Sequence, residues 1–149
     1  MARERVLRAL ALAWCLAALA TRLAIAQAYT TMEASQVQFL HDCQRAWNAN
    51  LSGWNEIVYC DNAEGITCDS NGMVATLGLT GVGLQGPIPA SISNLRELVD
   101  LDFNTNQLYG SIPTEVFTLT KLTHLNLGSN LFSSSIPSEV GMLTNLIST

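Results

Sequence analysis

From Val74 to Leu143 the apolar positions of this chain recur every 24 residues. Val74, Leu77, Leu79, Leu84, Ile88, Ile92 and Leu95 form the first set. Leu98, Leu101, Phe103, Leu108, Ile112, Val116 and Leu119 form the second, and Leu122, Leu125, Leu127, Phe132, Ile136, Val140 and Leu143 the third. Pro89, Pro113 and Pro137 keep the same spacing, as do Gly86 and Gly110, with Ser134 in the third glycine slot. A fixed period in the twenties means stacked supersecondary units, each too small to bury its own apolar face and therefore packed on the next. An alternating stretch such as Leu98-x-x-Leu101-x-Phe103 predicts a short strand with its apolar residues inward and the intervening ones outward. Neighbouring strands then run parallel, roughly 4.8 Å apart.

Asn106 and Asn130 occupy equivalent slots just beyond the strand. A buried amide there can bond the N–H and C=O groups of the bending chain, which must find partners somewhere. Val82 holds that slot in the first copy, so this asparagine ladder begins one copy late. The prolines fix φ, remove a donor and end any second strand. Gly86 and Gly110 are read as tight bends that a side chain would obstruct.

Upstream, residues 33–48 have Val37, Leu40, Cys43 and Trp47 at spacings of three and four, one apolar stripe of an amphipathic helix. Gln36, Gln38, His41, Gln44 and Arg45 are expected to cover the solvent side. Residues 49–72 are rich in Asn, Asp and Gly around Trp54, a loop or small hairpin that needs a covalent staple.

Further upstream still, Arg3, Arg5 and Arg8 precede twelve apolar residues, Ala9–Ala20, and the small-x-small run Ala24-Ile25-Ala26. This is the layout of a secretory signal peptide, residues 1–26. The competing reading, a transmembrane anchor, needs about 20 apolar residues. Removing the leader takes Glu4 from the 12 acidic residues and Arg3, Arg5, Arg8 and Arg22 from the 7 basic ones, leaving a net charge near −8. That balance argues against nucleic acid, heparin or anionic lipid as partner, since each needs a basic footprint. With no later membrane-spanning run, the chain as given reads as secreted.

Cys15 leaves with the leader, so Cys43, Cys60 and Cys68 remain, enough for one disulfide and one thiol in an oxidising compartment. Cys60 with Cys68 is preferred because a short loop is closed cheaply, and Cys43 with Cys60 is the alternative. A metal site is not expected: no Cys-x-x-Cys occurs, and His41 and Cys43 point to different sides of a helix. No cofactor is expected either. Asn50, in Asn50-Leu51-Ser52, is a candidate glycan acceptor.

The run Leu98, Leu101, Phe103, Asn106, Leu108, Gly110, Ile112 and Pro113, matched by Leu122, Leu125, Leu127, Asn130, Phe132, Ile136 and Pro137, resembles the plant-type extracellular leucine-rich repeat. Trp54-Asn55, Cys60 and Gly65-Ile66-Thr67-Cys68 resemble the N-terminal cap that precedes such repeats in receptor-like kinases, receptor-like proteins and polygalacturonase inhibitors. Asn62-Ala63-Glu64 stands where the family cap usually has an aromatic residue, and Cys43 lacks the mate that many members supply. The resemblance implies an α/β solenoid. It would be a right-handed superhelix with a parallel, concave strand-lined sheet, 3₁₀ or irregular turns on the other side and a helical cap. The corresponding parts are a leader (1–26), a cap (27–73) and repeats 74–97, 98–121 and 122–145, with a fourth starting at 146. A strand begun at Leu146 without a polar end cap is what a fragment of a longer protein would show, and a full-length form could be membrane-anchored.

The resemblance further implies non-catalytic recognition of a protein or peptide outside the cell. Candidate contact residues are those facing outward on the concave strands. Thr76, Asp100, His124 and Ser148 form one column; Gly78, Asp102 and Asn126 the next; then Thr80, Asn104 and Gly128. Asp100 and Asp102 give the face a negative centre suited to a ligand that offers cations or hydrogen-bond donors. His124 lies beside them. The plainer alternative is a set of solvated strand residues without the aromatic anchor that interfaces favour. Asp100, His124 and Ser148 also follow the order of a hydrolase triad, but an open face offers neither shelter nor an oxyanion hole. Inhibition of a secreted cell-wall-degrading enzyme and a purely adhesive role are the other functional classes open to this sequence.

Overall fold

The structure is a computed structural model that describes residues 33–47, 51, 54, 60 and 64–147. The expected leader, Asn50 and Ser148 lie outside the described residues. The chain divides into two compact units, Met1–Ala34 and Ser35–Thr149. Of the first, only residues 33 and 34, the opening of a helix, are described.

The helix is α1 (Glu33–Ala46). It is followed by β1 (Ile66–Cys68), β2 (Val74–Gly78), β3 (Gln85–Gly86), β4 (Asp100–Asp102), β5 (Gln107–Gly110), β6 (His124–Asn126) and β7 (Leu131–Phe132). Three 3₁₀ turns, Ala90–Asn94, Thr114–Thr118 and Ser138–Met142, each start directly after one of the periodic prolines. Proline suits that position because its φ is preset and its missing N–H has no helical acceptor there.

Two ladders hold the coils together. In the first sheet β1 is antiparallel to β2, and β2, β4 and β6 run parallel in that order. Thr76 pairs with Asp100 and Asp100 with His124; Gly78 pairs with Asp102 and Asp102 with Asn126. The offset equals the repeat period, so equivalent residues stand side by side. In the second sheet, β3–β5–β7, Gln85 pairs with Gln107 and Tyr109 with Leu131. That offset is two residues shorter than the period, and an even slip keeps each side chain on its own face.

Leu77, Leu79, Leu84, Ile92, Leu95, Leu98, Leu101, Phe103 and Leu108 are fully buried between the sheets and the 3₁₀ turns. Phe117, absent from the periodic set, is buried with them. Burial fades toward the last coil. The isoleucine slot goes from 4% exposed at Ile88 through half-buried Ile112 to 68% at Ile136. Each coil is covered by its successor, and among the described residues the third is covered only along its first strand, where the Ile147 N–H donates to Thr123 O at 2.7 Å.

The helix corrects the expected stripe. Its buried residues are Gln36, Phe39, Leu40 and Cys43, with Trp47 just beyond, whereas Val37 is only half-buried. Gln36 is therefore not part of the solvent cover. Its Oε1 accepts the Val74 backbone N–H at 2.8 Å and its Nε2 lies 3.2 Å from the Met73 sulfur, so the amide is satisfied where β2 begins. Burying a polar group is tolerable only with such partners. Trp47 packs edge-on against Phe39 and Phe103, at ring-centre distances of 6.4 and 5.3 Å, and donates from Nε1 to Pro87 O at 2.9 Å. Asp42 accepts from Gln38, Arg45 and the Ser91 hydroxyl, and Asn94 donates to Ser35 O, so the helix is tied to the first 3₁₀ turn.

The two repeat glycines differ in their reasons. A Cβ on Gly86 would stand 2.2 Å from the Ala46 carbonyl oxygen, so the end of α1 occupies that space. At Gly110 nothing lies within 4 Å, and the requirement is its φ of 83°. The expected obstruction is real at Gly86 and absent at Gly110.

Cys60 and Cys68 form a disulfide with Cα atoms 5.4 Å apart. Cys43 is a buried free thiol, and burial, helped by the neighbouring Asp42 charge, pushes its pKa well up. A thiol held protonated is a poor nucleophile.

Candidate functional site

The candidate site is the outward face of the β2–β4–β6 sheet. Because every strand alternates, Leu77, Leu101 and Leu125 enter the core while their neighbours face out. The structure brings the described candidates together in adjoining columns. Thr76, Asp100 and His124 form one, Asp102 and Asn126 lie in the next, and Thr80 and Asn104 continue beyond the strand ends. Thr76, Asp100, Asp102, Asn104 and Asn126 are half-buried, while Thr80 and His124 are exposed.

Local hydrogen bonds set several of these side chains. Asp102 Oδ1 accepts the Asn104 backbone N–H at 2.9 Å, and Asn126 Oδ1 accepts that of Gly128 at 3.2 Å. Thr123 Oγ1 lies 2.9 Å from His124 Nδ1. Among the described residues the ion pairs are Arg45–Asp42 and Lys121–Glu97, so Asp100 and Asp102 have no cationic partner there.

Beneath this face the two asparagines brace the turns. Asn106 Oδ1 accepts the Gly83 and Leu84 N–H groups, each at 3.0 Å, while its Nδ2 donates to Leu79 O at 2.7 Å and Phe103 O at 2.9 Å. Asn130 accepts from Leu108 N at 3.0 Å and donates to Phe103 O and Leu127 O at 2.9 and 3.1 Å. Each amide thus bonds its own coil and the one before it. A planar amide, with acceptor and donors on one short side chain, supplies both needs at once.

Immediately before the amide slot the chain turns with positive φ, at Gly81 (69°), Thr105 (55°) and Ser129 (51°). Among the described residues there is no group of three or more His, Cys, Asp or Glu side chains that could hold a metal. No described helix is long and apolar enough to cross a membrane. Sequence reasoning missed Gln36 and the open space at Gly128. Helical spacing from Phe39 and Cys43 could have pointed to Gln36, and the lone small residue in the Thr80–Asn104–Gly128 column to the other.

The fold agrees with what known proteins show. The Leucine Rich Repeat family model matches residues 121–143. Receptor-like protein 36 of Arabidopsis thaliana is 35% identical over 71 residues, covering 48% of this chain and 10% of that protein. The solved PEPR1–AtPEP1 structure overlays with a TM-score of 0.69 at 30% identity, over 76% of this chain and 17% of that one. The Arabidopsis receptor kinase HAESA ectodomain, in complex with an N-terminally extended IDA peptide hormone ligand, gives 0.67 at 28% identity, over 76% and 20%. This chain therefore has a leucine-rich repeat fold and resembles the plant-type extracellular repeats of receptor-like proteins. It spans about a tenth of the length of the curated relatives it matches.

Proposed function

We propose that this protein is a receptor-like recognition module that binds an extracellular peptide or protein ligand through the concave face of a leucine-rich repeat solenoid. The observation that carries this reading is the face itself: Asp100, Asp102, Asn104, His124 and Asn126 from successive coils, in register, outward and without ion pairs among the described residues. A structural neighbour that holds a peptide hormone supports it. On this reading residues 1–26 are a leader, 27–73 a cap built on α1 and the Cys60–Cys68 disulfide, and the repeats a right-handed superhelix acting outside the cell. The role is non-catalytic: an open row of parallel side chains gives binding area without the enclosed geometry that acyl transfer or hydrolysis needs.

Selection from a displayed peptide library tests the proposal. Peptides enriched on the protein should lose binding on Asp102→Lys, which reverses charge at the centre of the face. They should keep it on Lys121→Ala, which lies off the face. Enrichment of nothing, or of peptides indifferent to Asp102→Lys, would overturn it.

A further inference from the structure

Gly128 is a glycine that the fold does not require. Its φ lies outside the left-handed region that Gly81, Gly83, Gly86 and Gly110 occupy. The equivalent positions, Thr80 and Asn104, carry side chains. No backbone atom would obstruct a Cβ there. The atoms it would meet are Asn104 Oδ1 at 3.2 Å and Asn126 Oδ1 at 3.4 Å, both from side chains on the outward face. The bare Cα is thus the floor of a small notch walled by two amides from adjoining coils.

The chemistry of the walls is specific. Asn126 has its oxygen turned in, because the Gly128 N–H can only donate to an acceptor. The Asn104 side chain has no partner among the described residues, although the residue is half-buried. Asp102, paired in register with Asn126, uses Oδ1 on the Asn104 N–H and leaves Oδ2 open. Asp100 adds a second carboxylate one residue-pair along β4, again without a cation. Acceptors therefore outnumber donors around a vacant spot. A ligand anion would be repelled. The atoms within 4 Å of an added Cβ are both amide oxygens, which favours a hydrogen-bond donor over an aromatic ring.

We propose that this notch seats the charged end of one basic side chain, a guanidinium or an ammonium, and is the specificity anchor of the face. The inference rests on the reading that the face takes a peptide. Charge-assisted N–H···O bonds to two amide oxygens and a carboxylate match a cation with several donors. Glycine matters because the methyl of any other residue would occupy the floor. Arginine suits the notch if its planar fork spans both amides, lysine if one compact ammonium fits between them.

The test is a titration followed by amide NMR, with N-acetyl-arginine N-methylamide, its lysine counterpart and the uncharged citrulline analogue as probes. One cationic probe should give saturable shifts at the Gly128 N–H and at the Asn104 and Asn126 side-chain amides, and citrulline should not. Comparison of the two cations identifies which the notch prefers. Gly128→Ala should leave the rest of the spectrum unchanged and weaken that binding about tenfold or more. Asp102→Asn should weaken it and reduce its salt dependence, Asp100 keeping the remainder. Shifts located elsewhere, equal response to citrulline, no saturation up to the solubility of the probes, or undiminished binding by Gly128→Ala would each overturn the anchor. A library-selected peptide that is lost on Asp102→Lys but indifferent to Gly128→Ala would sink the notch and leave the recognition face standing.

Discussion

Asn106 shows how much one residue can hold. Its amide serves two N–H groups of the preceding coil and carbonyl oxygens of both coils. Truncation to alanine strands these groups in a site where Asn106 is only 8% exposed. Each buried unpaired group costs about 1–3 kcal/mol, so Asn106→Ala should destabilise by about 3–5 kcal/mol. Asn130 is half-buried and should lose less under the same change. Urea midpoints of the two variants would check both the size and the order. The amide slot was legible because a polar residue recurring at a fixed place in an apolar repeat needs a structural reason. Gln36 was not, since a glutamine in a helix reads as surface until its acceptor role for Val74, 38 residues away, is seen.

At the scale of elements, the join between α1 and the first coil turns on Asp42. The Ser91 hydroxyl bond is the main cause that holds its carboxyl below the usual carboxylate range; burial opposes it, and bonds from Gln38 and Arg45 add to the lowering. A carboxyl whose folded pKa is depressed adds stability that is present above its unfolded pKa, near 3.9, and lost as pH falls through the folded value. Acid unfolding of the wild type should therefore include a component that Ser91→Ala reduces and Asp42→Asn removes, the variants being less stable than the wild type at neutral pH and the difference closing as the pH falls. An acid transition unchanged by Asp42→Asn would refute that assignment. Strands and their order could be read from spacing alone, because apolar side chains that must all point inward leave a periodic trace, whereas the 3₁₀ turns followed only from the resemblance. The tether could not: Asp42 and Ser91 are 49 residues apart and neither type is unusual on a surface. Phe117 escaped for the opposite reason, filling a core position that the neighbouring coils leave to Ser93 and Gly141.

Across the molecule, stability should be graded. Ile88, Ile112 and Ile136 occupy one slot, yet their burial falls steeply from first to last. Ile88→Ala should cost about 2–4 kcal/mol, within the range for buried aliphatic truncations, Ile112→Ala less, and Ile136→Ala under about 1 kcal/mol. Unfolding curves for the three variants test the gradient, and equal losses would mean that the third coil is as well covered as the first. Hydrogen exchange should follow the same order, fastest in the coil with fewest buried neighbours. The candidate face was legible as columns because strand alternation and a constant period assign every outward position. Its notch was not, since an absent side chain acquires meaning only from the atoms left standing around it.

The two-coil reach of each bridging asparagine gives the array a direction. A coil does not finish itself; the amide that quiets the dangling donors of its bend arrives with the following one. Excision of a segment would thus be felt upstream of the cut, where Gly83 and Leu84, or Leu108, would have to turn to water. A foreign coil spliced in would join cleanly only if it brought its own amide and could also accept one from behind.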